Sequence, residues 1–307
     1  MPSVPGPHTG ILREENLVLR EIFGYGVESD TPPLPQACSS LPYSSIKDLL
    51  LVAVDVDTGG KYEEISPGQS FHIGVSIFDT RFFANVNSTD PEEAVVSYQF
   101  INQDTKPCRK AAKRFLIGET QMYPLPEIAS QILTLTQGRD YVLVAHGTNE
   151  DVKVLNNMDA RIVGNACYIL DTVKVAQHIV QLYYRYSLET LLDSLGITTY
   201  HYRLHAAGND AVFALRALLM LTVRDMSAAS NSMIYSNQME AQKMVAAFLE
   251  AVALVPYPVP VCVEPEERPV KLSIGAKRRL RQERKALSRM NKVEGSESQV
   301  EAGEDAT

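Results

Sequence analysis

The sequence predicts an α/β fold in which a mixed five-stranded sheet is flanked by helices. An apolar run at residues 49–54 is rich in leucine and valine, which is typical of a strand buried on both faces. Counting this run, three strand-like segments follow one another, and strand-like and helix-like segments alternate after them. We therefore expect the first three strands to be antiparallel and the later strands to be parallel.

The strand predictions rest on continuous or alternating apolar residues between turn-forming segments. The predicted strands cover residues 49–58, 71–82, 95–101, 141–145 and 168–170. Helical spacing of apolar residues predicts helices at residues 11–24, 125–136, 149–158, 187–195, 206–226 and 240–254. Gly196 is expected to end the fourth of these helices, and Asp171 to cap a helix after the fifth strand.

The composition divides the chain into three parts. Residues 1–46 are a Pro-rich segment with one short helix, residues 47–255 form the α/β domain, and residues 256–307 hold a Pro-rich linker, a basic helix and an acidic tail. Residues 271–292 contain nine Lys or Arg and one acid, whereas residues 293–307 contain five acids and no base. The basic segment 277–292 could contact phosphates, act as a nuclear address, or be a solvated helix.

Charge and cysteine usage narrow the class of protein. The net charge of −8 argues against non-specific nucleic-acid binding by the whole surface. Four cysteines stand far apart without a C-x-x-C pair, which suits free buried thiols in a reducing compartment better than disulfides or a zinc site. No apolar stretch approaches the roughly 20 residues of a membrane span, and no signal pattern opens the chain. We therefore expect a soluble protein of the cytosol or nucleus.

Two carboxylates, Asp55 and Asp57, follow the apolar run of the first strand. Alternation along a strand directs both to one side, about 6.6 Å apart along the backbone. Their mutual repulsion requires a cation between them or a retained proton, unless both acids simply face water. Two further acids are expected near this sheet edge, because Asp151 lies in the first turn of one predicted helix and Asp210 near the start of the longest.

Three motifs carry these acids: D-V-D-T-G-G from Asp55, V-A-H-G-T-N-E-D-V-K-V-L ahead of and through Asp151, and L-H-A-A-G-N-D-A around Asp210. In order, spacing and structural context they resemble the DEDDh family of 3′–5′ exonucleases, which have a ribonuclease H-like fold. The resemblance covers about residues 48–225. The third motif is most similar to a fungal branch that includes proteins linked to messenger RNA export and a partner of an RNA-silencing nuclease.

The resemblance implies hydrolysis of RNA or single-stranded DNA with two Mg²⁺ or Mn²⁺ ions. Oxygen ligands favour these ions over zinc, and two ions can activate water and stabilise the leaving oxygen. By position, Asp55, Asp57, Asp151 and Asp210 would be the metal ligands, and His205 would be the general base. Thr58, Gly59 and His146 would contact the substrate.

One departure from the family pattern concerns catalysis. The family has Glu where this chain has Asp57, which withdraws the carboxylate by about 1.5 Å. Either a small backbone shift lets Asp57 bind metal, or the protein binds nucleic acid as an adaptor and cuts it slowly or not at all. A scaffold without any nucleic-acid role is the third hypothesis. A second departure, Gly147 for the family's Asn, is expected to alter the support of the second motif.

Overall fold

Strand β1 (Leu50–Thr58) forms as the apolar run predicts, and it is buried on both faces as far as Val54. This computed structural model describes residues 10–26, 34, 38–58, 68–85, 89–103, 114–147, 149–181, 186–199, 204–230 and 236–256. The predicted basic helix at 277–292 and the acidic tail lie outside the described residues. Among the helices that are described, none is long and apolar enough to cross a membrane.

The sheet has the predicted mixed topology. Strand β1 pairs antiparallel with β2 (Phe71–Asp79), and β2 pairs antiparallel with β3 (Val95–Asn102). On the other side, β5 (Tyr141–Ala145) runs parallel to β1, and β6 (Tyr168–Asp171) runs parallel to β5. The prediction of antiparallel strands followed by parallel strands is confirmed.

The sheet has six strands rather than five, in the order β4-β3-β2-β1-β5-β6. The additional strand, β4 (Glu119–Tyr123), pairs parallel with β3 at the sheet edge. None of its side chains is fully buried. An exposed strand needs no apolar run, and the sequence of β4 contains none. The strand is defined by its backbone hydrogen bonds to β3, so the apolar pattern did not predict it.

Helices cover both faces of the sheet. In the described residues they are α1 (Glu14–Phe23), α2 (Leu125–Leu135), α3 (Asn149–Met158), α4 (Ala160–Gly164), α5 (Thr172–Ile179), α6 (Leu188–Leu195), α7 (Ala207–Ser230) and α8 (Ser236–Leu254), with 3₁₀ turns at Thr80–Asn85 and Pro91–Glu93. The six helices predicted within the described residues all form. Helix α4 is too short to show a period and was not predicted. Helix α5 was predicted only through its cap, Asp171, because its β-branched residues favour strands and hide the helical period.

Alternation along β1 divides the core between the two faces. Leu51 and Ala53 pack in the cluster that contains much of α7, whereas Val52 and Val54 pack in the cluster formed with α2 and α3. Asp55 continues the register of Leu51 and Ala53. The first catalytic candidate is therefore carried towards α7, the helix that holds Asp210.

Buried polar contacts fix the N-terminal helix to this core. Arg20 on α1 donates from Nε and Nη2 to the carboxylate of Asp225 on α7, at 2.7 and 2.9 Å, and the Tyr25 hydroxyl donates to the same carboxylate at 3.1 Å. The side-chain amide of Asn16 donates to the carbonyl of Val175 on α5 at 3.0 Å. Helix α1 thus contributes to the packing behind α7.

Candidate active site

Three elements, β1, α3 and α7, bring the predicted acids to the same region, where β1 ends and the two helices begin. Asp55 and Asp57 lie at the end of β1, Asp151 in the first turn of α3, and Asp210 in the first turn of α7. Strand ends and helix starts gather at one edge in such folds, so these positions follow from the topology.

A close backbone approach sets the distance between α7 and β1. Gly74 on β2 is the residue directly opposite Asp55. A Cβ at this glycine would lie 1.9 Å from the carbonyl oxygen of Ala207, the first residue of α7. Only glycine at position 74 lets the first turn of α7, and with it Asp210, rest against the strands beside Asp55.

Gly208 allows a second close approach, this time to the ring of Phe115, whose nearest atom would be 2.5 Å from an added Cβ. The neighbouring Asn209 is buried and clamps residues 114–116: its amide donates to the Arg114 carbonyl at 2.9 Å and accepts from the Leu116 amide at 3.3 Å. The start of α7 is thereby fixed at the residues immediately before Asp210.

Asp151 is 8% exposed and is tied to β1. One carboxylate oxygen accepts a hydrogen bond from the backbone amide of Val56 at 3.1 Å. The parallel pairing of β1 with β5 ends at Ala53. Asp151 therefore bonds to the backbone of β1 beyond the last residue that is paired with β5. This bond holds Asp151 against Val56, the residue between the two acids of the first motif.

The acids lie in one another's electrostatic field. Burial raises the pKa of Asp55 well above its usual value, and the charges of Asp210, Asp151 and Asp57 raise it further. Burial also raises the pKa of Asp210 to about 7, against the opposing effect of a hydrogen bond from the His205 backbone amide. The repulsion predicted from the sequence therefore acts in the folded protein, where it would favour a bound cation or a retained proton.

Asp57 differs from the other three acids because its carboxylate is hydrogen-bonded to a histidine side chain. His72 lies opposite Asp57 in the β1–β2 register, and its Nε2 is 3.0 Å from an Asp57 carboxylate oxygen. The hydrogen bond from His72 lowers the pKa of Asp57, with smaller contributions from the charges of His205 and Arg114. The side chain of Asp57 remains 42% exposed, so this carboxylate faces solvent at the rim of the site.

His205 is exposed and has a left-handed backbone conformation, with φ of 73°. Its backbone amide donates to both carboxylate oxygens of Asp210, at 2.9 and 3.2 Å. Such a conformation is unfavourable for a residue with a side chain and is stabilised here by the bonds to Asp210. The histidine is thereby held at the mouth of the acidic site.

The predicted substrate contacts have different surroundings. The Thr58 hydroxyl donates to the Ser70 carbonyl at 3.1 Å and accepts from Gln69, which joins the end of β1 to the start of β2. His146 has Thr172 Oγ1 2.9 Å from Nδ1 and the Tyr186 carbonyl 3.0 Å from Nε2, so both ring nitrogens have protein partners. Gly59 lies outside the described residues.

Asp171 and Gly147 determine the backbone conformation at the start of the second motif, where β5 ends. Asp171 caps α5 as predicted, accepting from the Val173 amide at 2.9 Å, and it also accepts from the Gly147 amide at 3.0 Å. Gly147 has φ of 84°, a conformation that glycine adopts readily. The glycine thus fits a backbone turn at the end of β5, and it bears no metal-binding group.

Sequence reasoning missed Gly74, Gly208, Asn209 and His72. A glycine inside a strand signals a close backbone approach, so Gly74 carried a usable signal. No sequence signal indicated that His72 pairs with Asp57. This pairing depends on the register between β1 and β2, which are separated by a loop.

The donor set fits hard divalent cations. All four acids offer oxygen, the ligand that Mg²⁺ and Mn²⁺ prefer, and the raised pKa of Asp55 marks a place where positive charge would stabilise the ionised form. Asp55, Asp151 and Asp210 are the residues that would hold such ions, with Asp57 at the rim.

Comparison with known proteins gives one family match. A family model described as DEDDh_C, DNA polymerase III subunit epsilon-like, C-terminal domain, matches residues 50–221. This match covers more than half of the chain and includes all four acids and His205. No curated protein matches the sequence.

Proposed function

Because the chain belongs to this DEDDh family of DNA polymerase III epsilon-like domains, we propose that it is a metal-dependent 3′–5′ exonuclease acting on RNA or single-stranded DNA. The observation that supports this proposal most strongly is the set of three acids around Asp55. Burial and the charges of Asp210 and Asp151 together raise the Asp55 pKa. An acid held against such repulsion is typical of a site built for a cation.

Each acid has a role that its position supports. When bound, two divalent ions would supply an activated water and stabilise the leaving 3′ oxygen of the scissile phosphodiester. Asp55, on which the charges of all three other acids act, would help to hold both ions. Asp210 and Asp57 would hold the ion beside the attacking water, and Asp151, fixed by the Val56 amide, would hold the second.

His205 is the proposed general base. Its backbone bonds to Asp210 keep the residue next to a proposed metal ligand, while its side chain remains exposed to incoming substrate and water. An imidazole can take a proton from water near neutral pH, and its position at the rim lets it return that proton to solvent. An electrostatic interaction between His205 and Asp57 supports the proximity of the proposed base to this acid.

We expect the substrate to bind where β1 ends, beside the positively charged side chain of Arg114. Arg114 is exposed, acts electrostatically on Asp57, and belongs to the segment clamped by Asn209. A guanidinium there would attract the phosphate backbone entering an otherwise acidic site. The basic segment 277–292 would add phosphate contacts from the C-terminal part of the chain.

One observation favours a second candidate function, a nucleic-acid-binding adaptor with weak or no catalysis. Asp57 is shorter than the family's Glu and is already paired with His72 at 3.0 Å. Among the described residues, the three potential ligand atoms that lie within 4.8 Å of one another belong to a different cluster, Cys38, Asp140 and Cys167. The ligand atoms of the acidic site are therefore less closely grouped than those of this second cluster.

A nuclease assay separates the two candidates. The full chain is incubated with 5′-labelled RNA or single-stranded DNA and Mg²⁺ or Mn²⁺, beside Asp55→Ala. Metal-dependent shortening from the 3′ end that is lost in Asp55→Ala supports the exonuclease. Salt-dependent binding without shortening, retained in Asp55→Ala and weakened by deletion of residues 277–292, supports the adaptor. Equal shortening by both proteins would contradict the proposed site.

A further inference from the structure

A second cluster of potential metal ligands lies at the opposite edge of the sheet. Cys38, Asp140 and Cys167 place one ligand atom each within 4.8 Å of one another. The two sulfur atoms are 3.0 Å apart although 129 residues separate them in sequence. Asp140 immediately precedes β5, and Cys167 immediately precedes β6, so the cluster lies where these strands begin, away from the acids at the end of β1.

Backbone hydrogen bonds hold the chain in place at, or next to, each of these three residues. The Cys167 amide donates to the Tyr141 carbonyl at 2.8 Å, and the Asp140 carbonyl accepts from the Leu50 amide at 2.9 Å. Ser39, the residue after Cys38, accepts from the Asp48 amide at 2.7 Å through its carbonyl. The convergence of the three side chains therefore rests on the sheet and does not require a flexible loop to close.

The three side chains offer two sulfur atoms and one carboxylate oxygen to a shared ligand. Both cysteines are buried and Asp140 is exposed. Cysteines bind divalent cations as thiolates, so a cation held by the two sulfurs and the carboxylate would release the thiol protons.

We propose that Cys38, Cys167 and Asp140 form a binding site for a thiophilic divalent cation of the Zn²⁺ class. Two thiolates and one carboxylate are a ligand set that zinc accepts, with a fourth position left for water or another ligand. A pocket of about 740 Å³ has Asp140, Tyr141 and Ser39 among its lining residues, so the cluster adjoins this pocket through Asp140. This site would join the chain around Cys38 to the start of β5 and β6.

A reversible disulfide is the competing interpretation of the same two sulfurs. Zinc–sulfur bonds of about 2.3 Å at tetrahedral angles set two sulfurs roughly 3.8 Å apart, whereas a disulfide sets them about 2.05 Å apart. The observed 3.0 Å lies between these separations. The carboxylate of Asp140 favours the cation, because a ligand oxygen has a role in a metal site and none in a disulfide.

Cobalt titration of the reduced full chain tests the proposal. We expect one equivalent of Co²⁺ to produce a thiolate-to-cobalt charge-transfer absorption, and Zn²⁺ to displace it. The absorption should be lost in Cys38→Ser and Cys167→Ser. It should need at least about 10-fold more Co²⁺ in Asp140→Asn, whose exposed position makes misfolding a poor explanation. Zn²⁺ at about 100 times its Kd should raise the wild-type Tm by about 5–10 °C.

Two control variants separate this site from other cysteines and from the acidic site. The double variant Cys108→Ser, Cys262→Ser should keep the cobalt absorption, and so should Asp55→Asn, whatever its effect on nuclease activity. Absence of the absorption in the wild-type chain would overturn the proposal. So would its persistence without Cys38 and Cys167, or a loss of two thiols on treatment with a mild organic oxidant in a chain that binds no Co²⁺.

Discussion

The substitution Gly74→Ala tests whether the approach of α7 to the sheet positions the acids. The new methyl carbon would lie 1.9 Å from the Ala207 carbonyl oxygen and 2.5 Å from the Gly208 amide nitrogen. Ordinary contacts begin at 3.4 Å, so the start of α7 must move by about 1.5 Å. That displacement carries Asp210 away from Asp55, because Gly74 and Asp55 are opposite each other in the sheet.

Two magnitudes follow from this displacement. Overpacking of this kind costs about 1–3 kcal/mol, which corresponds to a Tm lower by about 2–12 °C in a domain of this size. A misplacement of about 1 Å in a catalytic group lowers the rate on the order of 100-fold. We therefore expect a folded variant, shown by circular dichroism, with Mn²⁺-dependent 3′ shortening reduced by about two orders of magnitude.

The matched control is Gly164→Ala at the end of α4. A Cβ there would meet no atom within 4 Å, so the Tm should be unchanged or slightly higher and the nuclease rate unchanged. Wild-type rate and Tm in Gly74→Ala would refute the argument that this glycine sets the geometry of the site.

Three further predictions concern the rim, the pH dependence and the N-terminal helix. Asp57→Glu extends the carboxylate by about 1.5 Å and should raise the nuclease rate, by up to about 100-fold if reach limits catalysis; a lower rate would show that the shorter acid is adapted to this site. The folded-state pKa of Asp210, about 7, lies above its ordinary value of 3.8, so the native protein holds more protons between these pH values. Stability in EDTA should consequently fall as pH rises through this window, and Asp210→Asn should flatten the Tm-versus-pH curve; an unchanged curve would contradict the assignment. Asp225→Asn removes the charge that Arg20 and Tyr25 contact. The free energy of unfolding, measured by urea titration, should fall by about 3 kcal/mol. A loss below about 1 kcal/mol would mean that α1 is held mainly by apolar packing.

The elements that carry the four acids could be predicted from the sequence, because strand and helix periods are local. The apolar run before Asp55 placed two acids at a strand end, and helical spacing placed Asp151 and Asp210 in first turns. The order of strands and helices was sufficient to predict that these ends share one edge. The edge strand β4 was missed because an exposed strand paired through its backbone needs no apolar pattern.

Contacts that depend on register or on distant segments could not be predicted. The pairing of Asp57 with His72 follows from which residue of β2 lies opposite. The meeting of Cys38 with Cys167 depends on where the N-terminal segment crosses the starts of β5 and β6, and cysteine spacing instead indicated isolated thiols. In both cases the sequence gives the residue types but not the partners.

The most direct test of the acidic metal centre is an anomalous difference map from crystals soaked with Mn²⁺ and a nucleoside 5′-monophosphate. We expect two manganese peaks with Asp55 as a ligand, Asp151 and Asp210 among the remaining ligands, and the phosphate on the ions. Manganese bound elsewhere, or a phosphate held by the site without any ion contacting Asp55, would contradict it.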